Sequence, residues 1–207
     1  VGKAVENQEK TLTDIIRTLF HNQVCAVAGF LNRLGISPNV VTFMGLVGHF
    51  AAAYLLAIGQ ITWGGLVVLL TAPFDFLDGS MARLLGQTHP FGAFFDSVTD
   101  RYSELVLFGG LLIYFFREDN ILAVGLVYVA IVGSIMVSYV RARGESLGFE
   151  AKIGLFSRME RYFVLVPSLI FNIPLVALWI LAIFSNFTAL QRIIHISHQA
   201  AVREGRG

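Results

Sequence analysis

The 207-residue chain is 56% hydrophobic and only 14% charged, with a mean hydropathy of +0.70 and a formal net charge of +1. An ordinary soluble domain is about 45–50% apolar and about 25% charged, so the composition excludes a soluble core and indicates an all-α polytopic membrane domain over residues 1–207. The basic residues form no continuous patch, which argues against nucleic acid as a partner, and a single cysteine, Cys25, excludes an internal disulfide or a thiolate metal cluster.

In chain order, residues 1–10 are polar and of mixed charge, and do not read as a signal peptide. From 11 to 34 apolar residues recur at roughly helical spacing (Leu12, Ile15, Ile16, Leu19, Val24, Val27, Phe30, Leu31), with Arg17, His21, Asn22 and Arg33 between them. This suits an amphipathic juxtamembrane helix on the bilayer surface; a helix packed on the bundle fits equally well. The run Gly35-Ile-Ser-Pro-Asn39 ends it and starts the next helix.

A spanning helix needs about 20 mostly apolar residues. The sequence offers six candidates, at 40–58, 61–85, 91–116, 120–141, 157–172 and 174–191. Pro167, within the fifth, is expected to bend that helix without ending it. With six spans, 14 of the 15 basic residues fall on one side and Arg117 alone on the other. The excess of Lys and Arg makes the first side cytoplasmic, with both termini inside, in a multi-pass protein of the plasma membrane.

The most informative stretch joins the second and third spans. Asp75 and Asp78 are three apart and Asp96 and Asp100 four apart, so on helices each pair shares a face. Residues 86–90, Gly-Gln-Thr-His-Pro, read as a turn that folds the two helices antiparallel and sets the carboxylate pairs face to face. Four facing carboxylates repel one another, and a hard divalent cation would relieve that repulsion. Simple pairing with Arg83 or Arg101 accounts for two of the four. An ion or proton pathway, as in an ion-coupled transporter, would scatter acids in depth, whereas these cluster at one end.

The spacing Asp75-x2-Asp78-Gly79-x2-Ala82-Arg83-x8-Gly92-x3-Asp96-x3-Asp100 resembles the signature of the CDP-alcohol phosphotransferase family at all eight defined positions. The resemblance implies a juxtamembrane helix followed by six spans, and transfer from a CDP-alcohol to an acceptor hydroxyl with release of CMP. It implies that Asp75, Asp78 and Asp96 hold two divalent cations, Mg²⁺ or Mn²⁺, and that Asp100 touches the second cation and acts as the base. It assigns Gly79 and Arg83 to the nucleotide and its diphosphate. Pro38, Asn39, Val40 and Val41 resemble the family's nucleotide-contacting stretch, although Ser37-Pro-Asn alone is equally a helix start, and His89 stands at a nucleotide-contacting position often held by Thr. A homodimer is likewise implied.

A second motif bears on the acceptor. Ser138-Tyr-Val-Arg-Ala-Arg-Gly-Glu-Ser-Leu-Gly148, followed by Gly154-x3-Arg158-x-Glu160-Arg161, is similar to the pattern of phosphatidylinositol phosphate synthases, which join CDP-diacylglycerol to inositol 1-phosphate. That likeness implies an acceptor phosphate pocket built by Arg141, Arg143, Arg158 and Arg161. It also has departures: Gly144 stands for Ala, Ser157 for Glu and Met159 for Pro. A phosphatidylglycerophosphate synthase, using glycerol 3-phosphate, is the alternative within the family. His49 is expected in the core, His195 and His198 in a solvated tail, and Cys25 in packing.

Overall fold

The computed structural model of the chain describes residues 21–84 and 90–205; the side chains of residues 21–24, 75, 76, 78 and 83 lie outside that description. Among the described residues there are eight helices and no strand: α1 (His21–Arg33), α2 (Pro38–Ala57), α3 (Ile61–Thr71), α4 (Phe74–Leu84), α5 (Pro90–Arg117), α6 (Ile121–Ser146), α7 (Arg158–Ile170) and α8 (Pro174–Arg203). Helices α2, α6 and α8 are long and apolar enough to cross a membrane, and α3 is a shorter apolar helix. At 28 residues α5 has the length, but Asp96, Asp100, Arg101 and Glu104 fall within its first 15 residues.

Two stretches depart from the sequence reading, 61–85 and the end of the last helix, while the fifth candidate is short with Pro167 inside it as expected. The stretch 61–85, read as one helix, is two, separated by Ala72 and Pro73. Proline has no amide hydrogen to donate to Leu69, and its ring crowds that carbonyl, so the helical ladder is interrupted there. Helix α7 is short, with 13 residues, and Pro167 sits inside it without ending it. Helix α8 runs to Arg203, 12 residues beyond the expected end at 191, so His195 and His198, expected in a solvated tail, sit on a helix, the first half-buried and the second exposed. No glycine or proline occurs in that extension until Gly205, whose φ of 67° follows the helix end.

The main core gathers Leu107, Phe108 and Leu111 of α5 with Leu56 of α2, Val127 of α6, Leu169 of α7 and Leu178 and Leu181 of α8. Small residues bring backbones together, as expected for helices that share an apolar solvent with their surroundings. A Cβ at Gly110 would lie 2.5 Å from the Ala53 carbonyl oxygen, and one at Gly65 2.9 Å from the Ile170 nitrogen. Outward faces are also apolar. Phe43, Val47, Phe50 and Tyr54, at helical spacing on α2, are all more than half exposed, the surface a lipid-facing helix presents.

A second cluster explains α1. Ala28 and Leu31 pack against Leu77 and Met81 of α4 and Val41 of α2. The Asn32 amide donates to the Met81 carbonyl at 3.5 Å. The helix therefore packs on the bundle, while Val27, Phe30 and Leu34 stay exposed along a separate stripe. Its inner face braces the helix that carries Asp75 and Asp78.

Candidate active site

A cavity of about 340 Å³ lies between α5, α6, α7 and α8. Helix α5 lines it with Asp96, Asp100 and Glu104, one turn apart on a single face. Helix α6 contributes Ser138, Arg141 and Glu145 on its own face, the start of α7 contributes Ser157, Arg158 and Arg161, and α8 contributes Arg192. With Arg101 included, five arginines and four carboxylates surround one space.

Most of these charges are paired. Arg158 forms an ion pair with Asp100 through Nη1. Arg161, only 1% exposed, grips Glu104 with both prongs: Nε donates to Oε1 at 2.6 Å and Nη2 to Oε2 at 2.9 Å. Its Nη1 donates to the Phe156 carbonyl at 3.4 Å. Arg141 pairs with Glu145 one turn along α6, its Nε 2.9 Å from Oε1. Arg192 donates from Nε to the Ile153 carbonyl at 2.7 Å and from Nη1 to the Val137 carbonyl at 2.6 Å.

Behind Arg158 stands a buried polar column. Its guanidinium carbon lies 5.2 Å from the centroid of the Tyr162 ring, within the range of a cation–π contact. The Tyr162 hydroxyl lies 3.1 Å from Nε2 of His49, whose Nδ1 is 2.8 Å from the Gly45 carbonyl oxygen. A carbonyl only accepts, so Nδ1 carries a proton and donates to Gly45. His49 is fully buried, as expected of a core histidine.

The structure thus brings together Asp96, Asp100, Arg141, Arg158 and Arg161 from the residues singled out in the sequence. Arg143 is exposed and does not line the cavity. Two positions beyond Arg141 on a helix, it points about 200° away. Asp75, Asp78 and Arg83 lie on α4, with side chains outside the described residues, and His89 is outside them altogether. Pro38, Asn39 and Val40 open α2, and Val41 is buried against α4. The first turns of α2 and α5 meet, since a Cβ at Gly92 would lie 3.8 Å from the Asn39 side-chain oxygen. Gly79 is half-buried on α4.

Among the described residues no three His, Cys, Asp or Glu side chains converge as a metal-binding group, and only Asp96 and Asp100 of the four expected ligands are placed. The donor type is suited to a hard cation: carboxylate oxygens on successive turns, opening on a polar cavity.

Glu104 and Arg192 were not singled out for the site from the sequence. For Glu104 a signal was present: an acid in an apolar run, one turn beyond Asp100 on the same face. Arg192 had no local signal, because a cation just past a span reads as a membrane anchor.

The sequence profile of CDP-alcohol phosphatidyltransferases matches residues 35–196. Phosphatidylinositol phosphate synthase of Streptomyces avermitilis is 34% identical, covering 97% of this chain and 86% of that protein. The synthase of Mycobacteroides abscessus is 37% identical, covering 80% of each. A solved structure of Mycobacterium tuberculosis phosphatidylinositol phosphate synthase with CDP-DAG bound matches with a TM-score of 0.78 at 32% identity, covering 84% of this chain and 92% of that one. A structure of the same enzyme with manganese and citrate also matches with a TM-score of 0.78. Carrying the family's eight-residue aspartate signature on a matching helical fold, the chain belongs to the CDP-alcohol phosphatidyltransferase family and is a transferase enzyme.

Proposed function

We propose that the enzyme transfers the phosphatidyl group of CDP-diacylglycerol to a hydroxyl of inositol 1-phosphate, giving phosphatidylinositol phosphate and CMP. One observation carries the reading: the acids of α5 and the arginines of α6, α7 and α8 share a single cavity. A base for a hydroxyl and a basic cluster for a phosphate therefore sit within one small molecule's reach. Its 340 Å³ volume falls within the range of small-ligand sites, about 300–1,000 Å³. The relatives named as phosphatidylinositol phosphate synthases support the same acceptor.

In this mechanism Arg158, with Arg141 and Arg161 around it, orients the acceptor phosphate by charge-assisted hydrogen bonds. The acceptor hydroxyl oxygen attacks the phosphorus bonded to diacylglycerol, and Asp100 takes the hydroxyl proton. The bond from that phosphorus to the bridging diphosphate oxygen breaks, and CMP leaves with its electron pair. Arg83 and Gly79, with the 38–41 stretch and His89, bind the nucleotide side. Asp75, Asp78, Asp96 and Asp100 would hold two divalent cations, Mg²⁺ or Mn²⁺, which neutralise the diphosphate when bound. Manganese in a structure of the Mycobacterium tuberculosis relative supports a divalent cation as cofactor.

The arginine that Asp100 pairs with is the one assigned to the acceptor phosphate. Arrival of that phosphate therefore gives Arg158 a second anion and frees Asp100 to receive a proton. Base and acceptor become coupled through one side chain.

The remaining architecture follows as part of the same reading: one domain over 1–207 with six spans, α3 and α4 together making the second. Both termini and the cavity face the cytoplasm at the plasma membrane, α1 lies against the bilayer surface, and the chain forms a homodimer. Purified protein given CDP-diacylglycerol, Mg²⁺ or Mn²⁺ and either inositol 1-phosphate or glycerol 3-phosphate tests the central point. CMP release with inositol 1-phosphate is expected. Release with glycerol 3-phosphate alone would replace the acceptor and keep the family chemistry.

A further inference from the structure

The connection between α6 and α7, residues 147–157, has 11 residues, long for a helix–helix link, where about 2–8 is usual. It leads directly into Ser157 and Arg158 at the cavity, so its conformation sets where α7 begins. Two of its glycines take left-handed backbone, Gly148 at φ 76° and Gly154 at φ 112°. In its middle Ala151 is buried.

Its order comes from α8. The Gln199 side chain pairs with both backbone groups of Glu150, accepting from its nitrogen at 2.9 Å and donating to its carbonyl at 2.7 Å. Arg203 donates to the Gly148 carbonyl, and its guanidinium carbon sits 4.3 Å from the Phe149 ring centroid. Arg192 holds the Ile153 carbonyl, and the Thr188 hydroxyl accepts from the Phe156 nitrogen at 3.2 Å. At 100° per residue, Thr188, Arg192, Gln199 and Arg203 fall within about 60° of one another on the helix. One stripe of α8 therefore reads out the loop backbone from end to end.

The same contact accounts for a departure in the second motif. A Cβ at Gly144 would lie 2.6 Å from Cδ1 of Ile196 and 3.2 Å from the Ala151 Cβ. The methyl group that the usual alanine would supply is replaced by Ile196 from α8, seated against α6. Gln199 and Arg203 lie beyond residue 196, where the family match ends.

We infer that residues 192–203 of α8 are a splint for the 147–157 loop, and that Gln199 and Arg203 are positioning residues for the acceptor side of the cavity. The second half of this inference rests on the acceptor assignment proposed above. Neither residue lines the cavity. Their effect passes through the loop to Ser157 and Arg158, leaving the donor side untouched.

The test uses the full chain in detergent micelles, with Gln199→Ala, Arg203→Ala and the double variant; Ile194→Ala, on the exposed face of the same helix, is the control. Lys152 is exposed within the loop, so trypsin cleavage after it reports loop release without reference to activity. The double variant should be cleaved at least about tenfold faster than the parent, since it removes three hydrogen bonds and the loss of one alone reaches about that factor. In CMP-release assays the acceptor KM should rise by about the same factor, with the CDP-diacylglycerol KM unchanged. Arg203→Lys, which keeps the cation and a donor, should restore part of both effects. Unchanged cleavage overturns the splint. Faster cleavage with an unchanged acceptor KM, or with both KM values rising together, overturns the positioning role. A parent enzyme that turns over no phosphorylated polyol overturns the acceptor reading instead, and the cleavage rates alone then decide the splint.

Discussion

Arg161 and Glu104, 57 positions apart, form a two-pronged ion pair with both side chains buried between α7 and α5. Burying one ion costs several kcal/mol, and only a well-made partner offsets it. The Nε, Nη2 and Nη1 donors of Arg161 each have an acceptor, so the residue is a strut at least as much as a ligand.

Breaking the pair from one side should therefore damage the fold. Arg161→Ala leaves Glu104 buried and uncompensated, a loss of about 3–5 kcal/mol. Heating followed by size-exclusion chromatography should show earlier loss of the monodisperse peak, with Glu104→Ala behaving alike. Replacing both by methionine should recover much of the loss. Parent-like stability with only the acceptor KM changed would make Arg161 a phosphate ligand and not a strut.

Arg158 should behave differently, because it is about one-quarter exposed and faces the cavity. Arg158→Ala removes a charge-assisted contact worth about 1.5–3 kcal/mol, so the acceptor KM should rise roughly ten- to a hundredfold. The KM for CDP-diacylglycerol should hardly move. Arg158→Lys should recover only part, since a lysine cannot keep the planar guanidinium over Tyr162 while reaching Asp100.

Asp100→Asn keeps the shape of the side chain and removes the proton acceptor. Turnover should fall at least about 100-fold, the low end of a general base's contribution. Binding of CDP-diacylglycerol, read by equilibrium dialysis, should persist. Loss of donor binding in step with turnover would assign Asp100 to cation or donor binding and leave the base elsewhere.

The divalent cations make their own prediction. Excess chelator should abolish CMP release, and added Mg²⁺ or Mn²⁺ should restore it. Asp75→Asn, Asp78→Asn and Asp96→Asn should each be inactive in the presence of either cation. Full activity in chelator would remove the cations from the reaction.

Topology is testable at the turn between α5 and α6. Asp119, with φ 53°, sits there on the same side as Arg117. A cysteine-directed label at Asp119→Cys, in a chain with Cys25→Ser, should react from outside intact cells, and protease should spare tags at both termini. A tag cut from outside would overturn the six spans and the cytoplasmic site together.

Several features needed no tertiary information. The fall in charge, the apolar runs and the i, i+3 and i+4 spacing of Asp75, Asp78, Asp96 and Asp100 are local, and a helix converts local spacing directly into a shared face. That sufficed for the helical class, the family and the first two aspartates of the α5 stripe. The same periodicity separates Arg141 from Arg143, and a proline at 73 already marks a break in 61–85. Matching a motif position by position passes over both, because it ignores the direction of each side chain.

Tertiary structure alone decided the partners. Nothing near Glu104 in sequence shows that Arg161 neutralises it, nothing near Arg192 places it in the cavity instead of at a headgroup, and nothing near Gly144 shows Ile196 filling its space. These contacts join helices tens of residues apart, and each depends on how the bundle's crossings align two faces. Sequence spacing sets which residues share a face; packing sets what that face meets. The acid stripe of α5 was therefore legible in the sequence, whereas its charge balance and the support of the 147–157 loop came only with the fold.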